Sequence, residues 1–161
     1  IPSESKFKNY DLEFKNGYNI EIEYLRRIGF TILGCSLNSK YFENDKLTGI
    51  PVIDQMPASG NHFVFAPAIT VGLKSKIRNL LFWENKLSLG VAFSHNELKL
   101  GKSSIEKTNN DFYYAFSSGL GFQWTQHFHS MLSYKYDGYQ NSGEFGHQKF
   151  HQIEISVGAD Y

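Results

Sequence analysis

The 161 residues suffice for one domain and are too few for two comfortable ones. Sixteen basic residues balance sixteen acidic ones, and no dense Lys/Arg run is present, so neither the net charge nor a local patch predicts nucleic-acid binding. Aromatic residues make up 16% of the chain, but no stretch approaches the roughly 18 consecutive apolar residues of a spanning helix. The composition therefore excludes a helical membrane protein.

Two predicted strands, residues 6–15 and 18–24, lie on either side of Asn16-Gly17. Both alternate apolar and polar side chains, which is the pattern of a strand with one oily face and one wet face. Asn-Gly is a strong hairpin signal, because a type I′ turn needs positive φ at both central residues. The sequence therefore predicts a first hairpin that turns at Asn16-Gly17.

A tight turn at residues 26–29 leads to a third predicted strand, 30–42, whose alternation is weaker. Its Cys35 is the sole cysteine, so no intrachain disulfide can form, and we expect it to be a small packing residue. Residues 43–61 contain Asn, Asp, Gly, Pro and Ser without sustained alternation. They are predicted to form a long loop, a kind that tends to be functional or mobile.

The fourth and fifth predicted strands are residues 62–74 and 86–100, connected by 76–85. Pro67 cannot donate a hydrogen bond to a ladder, so a bulge or local gap is expected there. In the fifth strand the large apolar side chains share one face, and the small ones collect on the other, at Ser88, Gly90, Ala92 and Ser94.

The last three predicted strands alternate most clearly and cover residues 112–124, 130–139 and 150–161. The chain is therefore predicted to be all-β, an eight-stranded antiparallel up-and-down barrel in one domain, 1–161. A short turn at 126–129 is predicted, together with exposed loops at about 43–61, 101–111 and 141–147. Because the strand number is even, both termini are expected at one end.

The composition of the two faces favours a transmembrane β-barrel. The oily face carries bulky aromatic residues, and the wet face carries small, polar and charged ones that suit a narrow lumen. The alternative is a soluble lipocalin-like barrel, which has an apolar interior. A barrel in lipid must be closed to pair its backbone groups. Aromatic residues near strand ends would form its interfacial girdles, at Trp83, Trp124, Tyr136, Tyr139 and Tyr161.

The last third of the chain resembles the OmpA-like and opacity-protein superfamily of eight-stranded outer-membrane barrels. The resemblance is carried by F-Y-Y-A-F-S-S-G-L-G-F-Q-W (112–124), S-M-L-S-Y-K-Y-D-G-Y (130–139) and the final V-G-A-D-Y. It implies a location in a bacterial outer membrane. It also implies that Tyr161 acts as the terminal aromatic assembly signal, although Phe is commoner there in that family.

The functional hypothesis is an envelope anchor or surface protein whose loops contact partners, and not a channel. The expected partners are outer-membrane lipid and lipopolysaccharide and, through the loops, a host surface or other envelope proteins. No nucleic acid and no cofactor are expected, and the protein is expected to be a monomer or a subunit of an envelope assembly. The alternatives are a lipid A-modifying enzyme, a small barrel subunit of a larger envelope complex, and a soluble lipocalin-like ligand binder.

Charged residues on the predicted inner face are the main candidates for chemistry, because buried charges must be paired or hydrogen-bonded. They would form either an internal plug of ion pairs or a path for protons or ions. The set consists of Glu13, Glu21, Glu23, Asp137 and Glu154, together with Lys15 and Lys135.

No catalytic, cofactor-binding or metal residue is predicted. The histidine pairs His127/His129 and His147/His151 lack a carboxylate or cysteine at a matching spacing. Ser94 and His95 are adjacent on a strand, so their side chains should point to opposite faces and cannot act as a dyad. The His-x-Ser-Asn stretch of the lipid A deacylases is missing from the penultimate strand, which reads S-Y-K-Y-D at 133–137.

Overall fold

The computed structural model describes residues 11–50, 53–57, 59–100, 103–140 and 147–159. Within these ranges every regular element is a β-strand, and no helix there is long and apolar enough to cross a membrane. The strands are β1 (Asp11–Ile28), β2 (Thr31–Ile50), β3 (Ile53–Pro57), β4 (Asn61–Lys76), β5 (Leu81–Leu100), β6 (Ser103–Gln123), β7 (Phe128–Gln140) and β8 (His147–Ala159).

Seven long strands form one antiparallel up-and-down sheet in the order β1-β2-β4-β5-β6-β7-β8, and the short β3 pairs only with β2. The sheet is curled, because side chains of its first strand reach those of its last two. Glu21 of β1 lies 2.6 Å from the Lys135 ammonium on β7, and the Asn19 amide of β1 donates to Gln152 of β8 at 2.9 Å. The all-β antiparallel architecture is confirmed, as a half-barrel whose β1 and β8 edges are not paired with each other within the described ranges.

The predicted hairpin at Asn16-Gly17 is wrong, because β1 runs unbroken through it. Both predicted strands pair with the same neighbour, β2, and the ladder shifts register between Glu13 and Phe14 and again between Phe14 and Gly17. Asn-Gly is thus accommodated by an irregularity of the ladder, in the manner of a β-bulge, and not by a reversal of the chain.

Merging these two strands changes the relative direction of the first and last described strands. In a seven-stranded antiparallel sheet the first and seventh strands run in the same direction. The start of β1 and the finish of β8 therefore lie on opposite sides of the sheet. The prediction that both termini share one end concerns residues 1–10 and 160–161, which lie outside the described residues, and it stays a prediction. Tyr161 lies outside the described residues.

Two of the predicted loops are largely strand. β2 continues to Ile50, and β3 folds back on it from Ile53, opposite residues 46–50, so most of the region 43–61 is a hairpin. β6 already begins at Ser103, opposite Leu100, so the region 101–111 extends the β5–β6 hairpin. The physical reason is that backbone pairing propagates along an existing ladder without needing an apolar face. Of the predicted loop 141–147, all but His147 lies outside the described residues.

The tight turns are close to where the sequence predicts them, at residues 29–30, 77–80 and 124–127. We call this side of the sheet the tight-turn end and the opposite side the hairpin end. Gly29 has a φ of 65°, which glycine adopts without the penalty that other residues incur. At Pro67 the expected local gap is present, since the β4–β5 ladder passes from Phe65–Phe93 to Ala68–Gly90 without a change of register.

The two faces of the sheet differ as the alternation predicts. Large hydrophobic side chains lie on the outer face, where Phe116 is 47% and Ile153 79% exposed. The inner face is mainly polar, because sixteen polar or charged residues and only eleven hydrophobic ones are buried among the described residues. Two expectations are wrong: Cys35 is exposed on the outer face, and Tyr139 is buried on the inner face and belongs to no girdle.

Candidate functional site: the charged interior

Three lysines from three strands form the centre of the inner face: Lys40 of β2, Lys135 of β7 and Lys86 of β5. Each is an inward residue of an alternating strand, and each is buried. A buried ammonium is costly unless it is paired, and all three are paired with carboxylates of other strands. These pairs cross the lumen and divide it into three layers.

The first layer, toward the hairpin end, is centred on Asp137, whose side chain is completely buried. Its carboxylate forms an ion pair with Lys40 and accepts hydrogen bonds from the Tyr113 hydroxyl at 3.2 Å and the Gln152 amide at 2.9 Å. The Lys40 ammonium also lies 4.2 Å from the centroid of the Phe150 ring. Four strands, β2, β6, β7 and β8, are thus joined at one carboxylate.

The second layer joins the two edges of the half-barrel. Lys135 lies 2.6 Å from Glu21 of β1 and 3.5 Å from Glu154 of β8. Asn19 of β1 donates a hydrogen bond to Glu154 at 3.2 Å. One ammonium therefore holds carboxylates from both edge strands, although the backbones of those strands are not paired with each other in the described residues.

The third layer lies nearer the tight-turn end. Lys86 pairs with Glu23 of β1 and lies 3.6 Å from Glu84 of its own strand. Beside it, the Thr70 hydroxyl is hydrogen-bonded to Ser36 at 3.1 Å and to Ser88 at 2.8 Å. The small serine and threonine side chains leave room for the long lysines, as the wet-face composition predicts.

Aromatic contacts lie above and below the ionic layers. At the hairpin end His62 is hydrogen-bonded to Tyr139, and the rings of Phe42 and Phe150 stack with their centroids 5.0 Å apart. At the tight-turn end Phe82 is buried, and the Lys74 ammonium lies 4.0 Å from its centroid. The His129 ring meets Phe82 edge-on, with the two planes at 85°.

Five of the seven predicted inner charges are confirmed on the inner face: Glu21, Glu23, Asp137, Glu154 and Lys135. The side chains of Glu13 and Lys15 lie outside the described residues. The sequence reasoning missed Lys40, Lys86, Glu84 and Lys74. Alternation could have identified Lys86, because it lies two residues before Ser88, which is predicted to face inward. Lys40 could not be assigned to a face, because the alternation of the third predicted strand is weak.

The histidines are dispersed, and no group of three His, Cys, Asp or Glu side chains able to hold a metal occurs in the described part of the chain. His127 is exposed in a turn, whereas His129 points inward. His151 is on the outer face, hydrogen-bonded to the Tyr134 hydroxyl. The side chain of His147 lies outside the described residues.

The adjacent residues Ser94 and His95 point to opposite faces, as predicted. Ser94 is buried in the lumen, while the His95 ring is exposed and 3.1 Å from the Thr108 hydroxyl. On β7, Ser133, Lys135 and Asp137 face inward, and the two tyrosines between them face outward. The described interior is thus a set of ion pairs between strands, beside a cavity of about 620 Å³ that Glu21, Lys86 and Glu154 help to line.

No protein-family model matches the chain, and no curated protein matches it significantly. The resemblance to the OmpA-like and opacity-protein superfamily and the function it implies therefore remain predictions.

Proposed function

We propose that the chain is a membrane-spanning β-barrel protein of a bacterial outer membrane, which anchors long hairpins at the membrane surface. The observation that carries this proposal is the inversion of the two faces, with charges inside and large hydrophobic side chains outside. Water-soluble monomers rarely expose contiguous apolar patches beyond a few hundred square ångströms, whereas lipid requires such a surface. A lipocalin-like binder would need the opposite arrangement.

The height of the apolar surface supports the proposal. On β4 the outward apolar residues run from Phe63 to Leu73. At about 3.4 Å per residue and a tilt of about 40°, this stretch is about 26 Å tall, close to the roughly 25 Å band of outer-membrane barrels. Trp83, Trp124 and Phe128 are exposed toward the tight-turn end, where aromatic residues would lie at a membrane interface. We call this surface the apolar belt.

The charged interior favours a role as an anchor and argues against a role as an ion channel. The three ionic layers place ammonium and carboxylate groups across the lumen from β1, β2, β5, β7 and β8. Moving an ion past them would require separating buried pairs that stabilise each other. The working surface is then the hairpin end, where β2–β3 and β5–β6 extend, and we propose that these hairpins contact other envelope molecules or a host surface.

Cys35, the only cysteine, provides a direct test. It is exposed on the outer face between its ladder partners Tyr24 and Ile69, within the apolar belt. In a bilayer, hydrocarbon should shield it from a charged, membrane-impermeant maleimide, because the reaction needs a hydrated thiolate. We expect protein inserted in phosphatidylcholine vesicles to remain unlabelled and to become labelled after it is unfolded in denaturant.

A cysteine in the tight turn 77–80 is the matched control. The Cys35→Ser, Asn79→Cys double variant places the thiol outside the apolar belt, and we expect rapid labelling when the reagent is present on both sides of the vesicle membrane. The same two-sided addition is used for Cys35, because an impermeant reagent added outside does not reach a turn that faces the vesicle interior. Gel mobility gives a second readout, since a membrane barrel should stay compact in SDS until it is boiled. Labelling of Cys35 as fast as that of the turn cysteine, with equal migration before and after boiling, would contradict the proposal.

The open edges favour a second candidate, a barrel subunit of a larger envelope complex. Ile153, Ile155 and Val157 of β8 are 78–83% exposed, whereas Leu87 and Leu89 of the central β5 are 43% and 45% exposed. β1 and β8 run in the same direction, so a strand antiparallel to both would pair with each edge. Native mass spectrometry of protein extracted in mild detergent tests this candidate: a stable second polypeptide supports it, and the chain alone contradicts it.

A further inference from the structure

The tight-turn end carries a cluster of exposed cations that the ionic layers do not use. Arg26 and Arg27 lie at the end of β1, and Lys76 and Arg78 lie at the end of β4 and in the turn after it. We call these four residues the basic rim. The two turns are neighbours, because the Lys74 backbone N–H donates to the Phe30 carbonyl at 2.8 Å.

The basic rim is not neutralised within the described part of the chain, where none of its four residues forms an ion pair. Two inward carboxylates, Glu84 and Glu23, both face Lys86. All four rim residues line one cavity of about 1150 Å³ at the tight-turn end, and Glu23 also lines it. The positive charge is therefore concentrated at one mouth of the half-barrel.

Apolar side chains lie among the rim cations. Ile28 and Phe30 of the first turn are 63% and 68% exposed, and Ile77 and Leu80 of the second are 53% and 49% exposed. A soluble anion would need the cations alone. An interface between hydrocarbon and phosphate needs both kinds of side chain, because guanidinium groups bind phosphate while the apolar groups enter the acyl region.

The local geometry suits this role. The Arg27 Nε donates to the Gly29 carbonyl at 2.7 Å, which holds its guanidinium beside the turn. The backbone of the second turn is closed by hydrogen bonds between Arg78 and Leu81 at 3.2 Å in both directions. The rim also follows directly after the aromatic residues at that end of the apolar belt, such as Trp83. Its cations would thus lie at headgroup depth.

We propose that the basic rim binds the phosphates of anionic phospholipid headgroups in the leaflet at the tight-turn end. This inference rests on the proposed membrane insertion and names the lipid class and the residues that select it. Arginine forks bind phosphate bidentately, and each surface cation adds attraction to an anionic leaflet.

The test compares spin-labelled phosphatidylglycerol with spin-labelled phosphatidylcholine at the protein surface in phosphatidylcholine vesicles. The fraction of motionally restricted label gives the relative affinity of the two headgroups. We expect wild type to prefer phosphatidylglycerol severalfold, and the triple variant Arg26→Gln, Arg27→Gln, Arg78→Gln to lose most of that preference. Added salt should weaken the wild-type preference, because it screens exposed charges.

A matched triple variant at the hairpin end, Lys99→Gln, Lys107→Gln, Lys149→Gln, removes the same charge and should keep the wild-type preference. An unchanged preference in the rim variant, or an equal loss in the hairpin-end variant, would overturn the proposal. So would loss of the preference on adding inorganic phosphate at constant ionic strength, because the rim would then bind free anions. If wild type restricts lipid without a headgroup preference, only the proposal that the basic rim binds anionic headgroups is refuted. If it restricts no lipid at all, the proposed membrane insertion itself is refuted.

Discussion

The inner and outer faces of the sheet follow the same alternation but depend on their residues in different ways. On the outer face one large hydrophobic residue serves much as another does, since each needs only to be apolar and exposed. On the inner face Asp137 has three specific partners on three other strands, and replacing it affects all of them. The outer face should therefore be sensitive to polarity alone, and the inner face to the exact pairing.

The largest expected effect is at Asp137. Asp137→Ala would leave the Lys40 ammonium, only 1% exposed, without its carboxylate, and an uncompensated buried charge typically costs about 3–5 kcal/mol. We expect the free energy of unfolding to fall by that amount in urea titrations of the detergent-solubilised protein.

The matched control replaces both partners, as Lys40→Met with Asp137→Leu. Because an apolar pair leaves no buried charge, the double variant should be more stable than Asp137→Ala. It should stay less stable than wild type, because the Tyr113 hydroxyl and the Gln152 amide lose their acceptor in both variants. If the double variant is as unstable as the single one, the loss comes from packing and the lost hydrogen bonds of Tyr113 and Gln152, and not from the orphaned charge.

The second effect tests the outer face. Under the proposed membrane insertion, Leu89→Arg places a charge in the middle of the apolar belt, where arginine would cost about 2–4 kcal/mol at the bilayer midplane. We expect the free energy of unfolding of the vesicle-inserted protein to fall by this amount. Leu80→Arg, in the turn 77–80, should cost only about 0–1 kcal/mol, as at an interface. Equal effects at the two positions would argue against an apolar belt in lipid.

The same contrast explains what the sequence could predict. Period-two alternation depends only on residues along one strand, so the faces of Phe116, Lys135, Ile153 and Glu154 could be predicted correctly. The partners of those residues depend on strand order and register, which no local pattern encodes. Lys40 and Asp137 are 97 residues apart, and their pairing requires the sheet to curl.

The errors at Asn16-Gly17 and in region 43–61 have a related cause. Both predictions treated turn-favouring residues as sufficient to end a strand. In the structure β1 and β2 continue because each is paired with the other along the ladder, from Ile28–Thr31 to Asp11–Thr48. Tertiary pairing thus overrides local turn preference where the two disagree.

A third prediction concerns steric fit on the inner face. A Cβ on Gly121 would fall within the van der Waals radius of the Phe82 ring on the neighbouring strand. Gly121→Val should therefore overpack this site and lower the free energy of unfolding by about 1–3 kcal/mol. In a Phe82→Ala background the same substitution should cost less, since the ring is gone, and a double-mutant cycle measures the difference. Additive effects would show that the two residues do not compete for space.

The smallest effect is expected at an exposed ion pair beyond the apolar belt. The Lys99 ammonium lies 2.7 Å from Glu97, but the lysine side chain is 52% exposed, so water solvates it with or without its partner. The hydrogen bond to Glu97 raises the pKa of Lys99 above its usual 10.5, so any contribution is present at neutral pH and disappears as the pH rises through that raised value. Lys99→Gln should leave the urea midpoint of wild type unchanged at neutral pH. A loss comparable to that of Asp137→Ala would mean that pairing matters equally at a solvated and a buried site, and the contrast between the inner face and exposed surfaces would no longer hold.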